Sequence, residues 1–378
     1  MDFRTLTDTQ IELCKLASDF AKKEIQPVAA LLDKQAAFPA ELHKKAMALG
    51  ILNLLIPEDY GGLGLGNLDF IMVTERLAWG CSGVAGALSL NSMVGDCILL
   101  GGTEKQKEKY LGKIVNGEIG SYALTEPHAG SNVAAIKTAA LKKGSKYILN
   151  GSKTWISNSP VASFFIVFAK TDPDAAHKGI SAFIIDRDTP GLEVGKDLEK
   201  LGQKAFPAAE VFFQNVELSA EHLLGKEGEG FLLAMKIFDR SRPMVAASGV
   251  GLSKRCLDES LLYAKSRETM GKAIINHQMI AAKIADMGMR HEASRLLTYQ
   301  AADLLDRNLP NTIEASYAKT FAADTAAWAS SEAVQVFGGM GYSKEYPVEK
   351  LYRDSKVLQI YEGTNEIQRL IMARELSK

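Results

Sequence analysis

The sequence has few of the side chains that form disulfides or metal sites. Its four cysteines, Cys14, Cys81, Cys97 and Cys256, lie far apart and form no C-x-x-C pair, so we expect reduced thiols that serve mostly in packing. The six histidines form no H-E-x-x-H motif and no other close ligand pair. We therefore expect no bound metal.

The sequence also lacks an excess of charge of either sign. Its 44 lysines and arginines nearly balance its 45 aspartates and glutamates, for a formal net charge of -1, so no overall field attracts nucleic acid or an anionic membrane. Residues 1–5 show no basic segment followed by an apolar stretch, and we expect that no apolar run approaches the length of a membrane span. The sequence thus predicts a cytoplasmic protein that recognises partners other than nucleic acid or membrane, through local sites.

The chain does contain enough apolar material, 47% of its 378 residues, for two or three domains. The hydrophobic period predicts a helical domain at 1–119, a β domain at 120–226 and a helical bundle at 227–378. We therefore expect an α+β multidomain protein in which an antiparallel β-barrel or sandwich separates two helical domains.

Helix signals occur in both predicted helical domains. Thr7 with Gln10 and Thr103 with Gln106 suit capping boxes. The apolar period predicts that one face of the first helix carries Ile11, Ala17, Phe20 and Ala21. Long helical segments are predicted at 231–265, 276–307 and 311–337.

Short β-branched or aromatic runs fill the middle of the chain. They lie at 121–125, 147–149, 154–157, 164–170, 181–185 and 210–213. Turn signals at 143–145 and 150–151 predict breaks between strands.

Four stretches, at 122–132, 153–158, 335–342 and 351–369, combine polar groups with residues that permit unusual backbone conformations. In the last of them, Glu362 lies between an aromatic-aliphatic run and Gly363, and Thr364 suits the N-cap of the next helix. Such a joint can hold a carboxylate in a cavity that tunes its pKa for proton transfer. Taken alone, however, Glu362 is more simply interpreted as an ordinary loop glutamate.

Taken together, the four stretches resemble the acyl-CoA dehydrogenase family over essentially the full length of the chain. Residues 123–135 match its first motif, residues 335–354 match its second, and Tyr361-Glu362-Gly363-Thr364 followed by Ile367-Gln368-Arg369 matches its catalytic segment. The resemblance implies the family's α-β-α fold with a C-terminal four-helix bundle. It also implies FAD as cofactor and an acyl-CoA thioester as substrate. The expected reaction gives the trans-2-enoyl-CoA, with Glu362 taking the α-proton and the β-hydride going to flavin N5.

The resemblance also assigns roles by motif position. The positions implied to bind FAD are Tyr122, Leu124, Thr125, Gly130, Ser131, Trp155, Ile156, Ser157, Arg267, Thr269, Gln278, Gln335, Gly338, Gly339, Thr364 and Glu366. Gln335 and Gly339 are expected to reach FAD from a neighbouring subunit. The positions implied to contact substrate are Ser131, Asp239, Arg242, Tyr361 and Gly363. An electron-transferring flavoprotein is the expected partner, and the expected assembly is a homotetramer, a dimer of dimers that shares its FAD sites.

Several departures from the family pattern bear on substrate. Asn132 replaces a usual aspartate, and Met270 replaces a usual phenylalanine. Ser241 stands where some branches place the base, and Val84 stands where glutaryl-specific members carry an arginine, so a dicarboxylic substrate is disfavoured. Asp96 lies on a helix that lines the acyl pocket in relatives. A carboxylate that points to solvent or pairs with a lysine is its simpler interpretation. The alternative is a pocket residue that admits a polar, unsaturated or cyclic acyl group.

Three other functions share the resemblance. The same site can run as an enoyl-CoA reductase, because the base and the acid are one residue in the two directions. A nitroalkane oxidase is less favoured, because that branch carries aspartate at the base position. A non-catalytic or DNA-binding flavoprotein is remote, because the chain is nearly neutral and retains Glu362.

Overall fold

The computed structural model of the chain describes residues 6–378. The N-terminal segment used for the targeting expectation, 1–5, lies outside the described residues. Helices come first, an eight-stranded sheet follows, and a second group of helices completes the chain, as the α, β, α pattern predicted.

Six α-helices form the first group. Their bounds are α1 Asp8–Phe20, α2 Ala29–Gln35, α3 Ala40–Ala48, α4 Asn67–Gly80, α5 Ser82–Gly101 and α6 Glu104–Val115. Both predicted capping boxes are present, at Thr7 and at Thr103. The predicted inner face of α1 is correct for Ala17, Phe20 and Ala21 but wrong for Ile11, which is 52% exposed.

Helix α5 is the central helix of this group. It is long and apolar enough to cross a membrane, with a mean hydropathy of 1.5, so the expectation that no apolar run reaches that length is wrong. However, 78% of that window is buried inside the protein. Its side chains pack between α6, the sheet and the start of the next long helix, which explains the apolar composition as that of a core helix.

The sheet runs in the order β6-β7-β3-β2-β4-β5-β8, and β1 pairs with β4. The strand bounds are β1 Gly120–Ala123, β2 Ala139–Lys143, β3 Lys146–Ser157, β4 Phe164–Lys170, β5 Ile180–Asp186, β6 Leu192–Asp197, β7 Ala208–Ser219 and β8 Leu223–Leu224. Most neighbours are antiparallel, but β1 and β2 each pair with β4 in parallel. The first strand, which leads to Thr125, therefore lies beside a fully buried strand.

The structure differs from the strand predictions at one turn and in three additional strands. The turn predicted at 150–151 is wrong, because β3 continues through it with a register shift at Gly151, whose φ is 142°. Strands β2 and β6 were missed because their sequences, AALKK and LEVGKD, carry few of the β-branched and aromatic residues typical of strands. The short β8 was also missed.

The second group of helices follows the predicted segments closely. The bounds are α7 Gly230–Ser266, α8 Gln278–Asp306, α9 Thr312–Phe337, α10 Val348–Ser355 and α11 Asn365–Leu376, with a short hairpin of β9 Glu268–Thr269 and β10 Lys272–Ala273. Helix α7 packs along α9, α8 and α4. It joins the two helical groups and lies against the sheet at its first turns.

Candidate active site

The loop that carries Glu362 connects a 3₁₀ turn at Lys356–Gln359 to α11. Glu362 and Gly363 both adopt left-handed backbone conformations, with φ of 57° and 85°. A glutamate rarely adopts this conformation, and such residues concentrate at functional sites. The Thr364 side chain accepts the Ile367 N–H at 3.3 Å, which confirms Thr364 as the N-cap of α11.

The left-handed turn directs the Glu362 carboxylate toward α7. There the Ser241 hydroxyl donates a hydrogen bond to Glu362 Oε2 at 2.6 Å. Burial raises the pKa of Glu362, while the Ser241 hydrogen bond and the positive charges of Arg242 and Lys319 oppose that rise. The result is a carboxylate that accepts protons more readily than an exposed glutamate.

Apolar and weakly polar side chains surround this carboxylate. Tyr361 packs against both the core of the sheet side and the core of the bundle. Burial raises the pKa of the Cys97 thiol and of the Tyr122 hydroxyl well above their usual values, and the negative charge of Glu362 adds to both effects. Both groups are therefore neutral at physiological pH, and Glu362 faces little competition as a proton acceptor.

The structure brings the first two polar stretches together. The Thr154 N–H donates to the Thr125 carbonyl at 2.9 Å, and the Ser121 hydroxyl donates to the Ser157 carbonyl at 2.8 Å. Leu124 and Ile156 are buried. Trp155 is 57% exposed and has a φ of 59°, at a second register shift in β3. The bulge turns a large aromatic ring outward, where it can cover a bound planar group.

The sequence assigned no role to Lys153, yet in the structure Lys153 fixes the loop that follows β1. Lys153 is fully buried, and its ammonium donates to Glu126 Oε1 at 2.7 Å and to the Leu124 carbonyl at 2.9 Å. Burial lowers the pKa of Lys153 to about 8, against the opposing charge of Glu126. The Glu126 carboxylate also accepts the backbone N–H groups of Lys137 and Thr138. These contacts fix the loop that carries Thr125, Gly130 and the exposed Ser131.

A second set of predicted residues lies at one end of the bundle. Arg267, Thr269, Gln278, Gln335, Gly338 and Gly339 are all exposed there. The Tyr263 and Phe337 rings stack with centroids 4.0 Å apart and so join the ends of α7 and α9. Within residues 6–378, no hydrogen bond or ion pair of this set reaches the Glu362 loop. Of these residues, Gln335 and Gly339 are the two expected to reach FAD from a neighbouring subunit, and that expectation stays a prediction.

Arg242 is not a solvated helix charge. It is 4% exposed, and its guanidinium lies 5.7 Å from the Phe238 ring centroid. Its Nη1 donates to Asp239 Oδ1 at 2.7 Å, and Asp239 Oδ2 accepts the Thr312 hydroxyl at 2.7 Å. The pair places a cation beside the Glu362 carboxylate and lowers the pKa of Glu362.

Asp96 is buried, so the interpretation as a solvent-facing carboxylate is wrong. Its partner is an arginine, because Arg240 Nη2 lies 3.0 Å from Asp96 Oδ1. Burial raises the pKa of Asp96, and the Arg240 charge opposes that effect. The pair joins α5 to α7 next to Ser241, which places it near the base without a contact to it.

The exposed glycines and Trp155 fit a bound flavin nucleotide. A side chain added at Gly130, Gly338 or Gly339 would meet no atom within 4 Å, so each faces open space in which a ligand can lie against the backbone. Thr364 and Glu366 line a polar cleft at the start of α11, together with Lys356, Arg369 and Asp324. The residues present therefore suit FAD.

Comparison with known proteins gives one consistent family. Models described as acyl-CoA dehydrogenase N-terminal, middle and C-terminal domains match residues 7–118, 121–216 and 228–377. An acyl-CoA dehydrogenase of Bacillus subtilis is 45% identical over 98% of both chains. A 3-(aryl)acrylate reductase of Clostridium sporogenes is 42% identical over 96% of this chain and 97% of the relative.

Two solved structures are similar to this chain over its full length. Butyryl-CoA dehydrogenase from Megasphaera elsdenii covers 100% of both chains at 41% identity, with a TM-score of 0.97. A chain from a structure described as the electron transferring flavoprotein of Acidaminococcus fermentans reaches a TM-score of 0.96 at 41% identity, covering 100% of this chain and 99% of its own.

Proposed function

The chain belongs to the acyl-CoA dehydrogenase family, and on that premise we propose that it oxidises an acyl-CoA thioester to the trans-2-enoyl-CoA. Glu362 is the base that takes the α-proton. The observation that carries this proposal is the partly buried Glu362 carboxylate, held in a left-handed turn and bonded to Ser241 with a raised pKa. Members of the family use FAD, which when bound supplies the acceptor for the β-hydride.

The residues around Glu362 have separate roles in proton removal. Ser241 fixes the carboxylate, and the positive charges of Arg242 and Lys319 favour its ionised form in a partly desolvated site. In the described part of the chain, no internal hydrogen bond uses the Glu362 N–H. We propose that this N–H donates to the thioester oxygen, where negative charge develops as the proton leaves. Glu362 thus acts twice, as base and as donor.

Anaerobic titration of the yellow holoenzyme tests the reaction. The panel consists of straight-chain, branched, cyclic and aryl-bearing acyl-CoA thioesters, and the readout is loss of flavin absorbance. A substrate bleaches the flavin at stoichiometric amounts and yields the enoyl-CoA. Failure of every saturated thioester to bleach the flavin would exclude the dehydrogenase reaction.

Loss of the Ser241 hydroxyl is expected to shift the pH dependence of the reaction. The hydrogen bond lowers the pKa of Glu362, so Ser241→Ala raises that pKa and moves the rising limb of the bleaching rate to higher pH. The rate at neutral pH falls roughly tenfold, as expected for one hydrogen bond to a charged group. Ser241→Thr keeps the hydroxyl and serves as the matched control. An unchanged pH profile in Ser241→Ala would show that the hydrogen bond does not tune the base.

Reduction of an enoyl group is the second candidate function. It is favoured by relatives named 3-(aryl)acrylate reductase and acryloyl-CoA reductase (NADH), the latter 40% identical over 100% of this chain. The same Glu362 would then donate a proton to the α-carbon. Mixing the anaerobically reduced holoenzyme with enoyl-CoA thioesters or free arylacrylates distinguishes the two directions. In a reductase, these substrates reoxidise the reduced flavin faster than saturated thioesters bleach the oxidised flavin.

Asp96 is proposed to influence which acyl groups are accepted. The buried Asp96–Arg240 pair places two charges between α5 and α7, close to Ser241. Asp96→Asn removes the negative charge at nearly constant volume and leaves Arg240 with a neutral partner. We expect the relative bleaching rates across the thioester panel to change several-fold, since unbalanced buried charge is costly. An unchanged substrate order would show that the pair is only structural, and Leu100→Ala at an exposed position of α5 serves as the control.

The proposed electron acceptor is an electron-transferring flavoprotein, and the proposed assembly is a homotetramer. The first is supported by the structural match described above. The second is supported by exposed apolar side chains on the helical part of the chain, with Met270 94%, Tyr342 89% and Met279 75% exposed. Met270 lies at the tip of the β9–β10 hairpin beside the predicted FAD-binding Thr269. We also propose a cytoplasmic location, where the thiols of the four buried cysteines would stay reduced.

A further inference from the structure

Lys319 lies within α9 and is fully buried, although its sequence context gives no sign of a role. Its Nζ donates one hydrogen bond to the Gly363 carbonyl at 2.8 Å and another to Asn365 Oδ1 at 2.9 Å. Gly363 belongs to the loop that carries Glu362, and Asn365 is the first residue of α11, directly after that loop. A buried lysine loses its hydration, so these two bonds account for its position.

The contact falls on the strained part of the loop. Glu362 and Gly363 are consecutive left-handed residues, and such a turn persists only where its surroundings hold it. Gln368 Nε2 donates to the carbonyls of Glu362 and Gly363 at 3.2 and 3.1 Å. Lys319 donates to the same Gly363 carbonyl from α9. The turn is therefore held by α11 on one side and by α9 on the other.

The hydrogen bonds of Asn365 show which contacts would be lost without the Lys319 ammonium. Asn365 Nδ2 donates to Asp324 Oδ1 at 2.7 Å and to the Thr320 carbonyl at 3.4 Å. That orientation points Asn365 Oδ1 at the ammonium. Without the ammonium, Asn365 Oδ1 would lose its donor at a buried position, and Gly363 would depend on the longer bond from Gln368.

The charge of Lys319 also acts on the base. The charged groups that face Lys319 are Glu362, Arg242, Asp324 and Glu366. Burial lowers the pKa of Lys319 to about 8, with Glu362 as the largest opposing influence. Reciprocally, Lys319 lowers the pKa of Glu362. The cation therefore favours the ionised base before a proton is taken.

We propose that Lys319 is a positioning residue for Glu362: its buried ammonium fixes the Glu362–Gly363 turn and so directs the carboxylate at Ser241, with its positive charge near that carboxylate. This role rests on the proposed function, in which Glu362 is the base. Lys319 itself does not touch the reacting atoms. It acts through the loop and through its charge.

Lys319→Met, which matches the length of the side chain without its charge, is the test variant. We expect the limiting rate of flavin bleaching to fall roughly 10²-fold, as for a small misplacement of a reacting group, with KM and FAD content changed far less. Lys319→Arg should recover part of the rate because it keeps the cation. Lys44→Met is the matched control, because Lys44 lies on α3, is exposed and bonds only to Glu41 among the described residues.

A second readout does not depend on turnover. Infrared titration of the Glu362 carboxyl, taken as the difference from Glu362→Gln, should show a higher pKa in Lys319→Met than in the unsubstituted protein. Should Lys319→Met fail to fold, Lys319→Gln replaces the ammonium with a neutral amide that still donates hydrogen bonds from a slightly shorter side chain, and the same pKa shift is expected. An unchanged carboxyl pKa together with an unchanged limiting rate overturns the proposal. A rate loss accompanied by matching losses of bound FAD and of thermal stability would show a purely structural role, and it would also overturn the proposal. If no thioester bleaches the unsubstituted protein, the proposed function fails, and the carboxyl titration still decides the role of Lys319.

Discussion

Glu362→Gln is expected to abolish flavin bleaching by an acyl-CoA substrate while sparing the binding of that substrate. Glutamine keeps the size of the side chain and the backbone N–H but cannot accept a proton. The loss of a positioned general base slows a reaction roughly 10²- to 10⁴-fold. Because the carboxylate is already partly desolvated and lies against Ser241, its neutral replacement is easily accommodated. Rapid anaerobic mixing measures the rate, and flavin spectral shifts measure thioester binding.

Glu217→Gln provides the control for this substitution. Glu217 lies on β7 in an exposed ion pair with Lys146, far from the polar stretches, so its replacement should leave the bleaching rate unchanged. Retained bleaching in Glu362→Gln at a rate near that of the unsubstituted enzyme would show that another group removes the α-proton. The neutral Tyr122 and Cys97, whose pKa values are raised, are poor candidates for that group.

Asp354→Ala is expected to destabilise the protein by about 3–5 kcal/mol, the cost of leaving a buried charge without its partner. Asp354 is fully buried, and its Oδ2 accepts from the Lys350 ammonium. Its Oδ1 accepts the Gln203 N–H at 2.6 Å, and the Ser82 hydroxyl lies 3.4 Å from Oδ2. One carboxylate thus connects α10 to the loop after β6 and to the start of α5. Urea and thermal unfolding measure the loss.

The double substitution Asp354→Leu with Lys350→Met separates charge from packing. Replacing a buried ion pair by apolar residues of similar size is often nearly neutral, so the double variant should recover much of the stability lost in Asp354→Ala. Close packing at this junction limits the recovery, because a Cβ added at the adjacent Gly202 would lie 2.4 Å from the Arg353 backbone. Equal destabilisation in the single and double variants would show that the unpaired Lys350 is not the cause.

Local chemistry made much of the fold predictable. The capping boxes at Thr7 and Thr103 specify helix starts within a few residues, and the structure has them where the sequence predicted. The three long helical segments were also predictable, because their periodic apolar residues continue for many turns. The position of Glu362 before Gly363 and the cap Thr364 predicted an irregular joint, and the left-handed backbone is that joint.

Long-range pairing accounts for what the sequence did not predict. Lys153 and Lys319 look like ordinary surface lysines in their sequence context, and only tertiary contacts with Glu126 and with the Gly363 carbonyl make them buried. The parallel pairing of β1 with β4 depends on strands far apart in the chain. Asp96 could not be assigned a partner because Arg240 lies on another domain's helix. Such contacts leave no periodic signal.

The central claim is that Glu362 removes the α-proton, and proton transfer can be measured apart from oxidation. A 3-thia-acyl-CoA carries acidic α-protons next to its thioester but has sulfur in place of the β-carbon, so no hydride can leave. The holoenzyme in D₂O should exchange these α-protons for deuterium, as followed by NMR. Glu362→Gln should not. Absence of exchange with the unsubstituted holoenzyme, or exchange that persists in Glu362→Gln, would contradict the account.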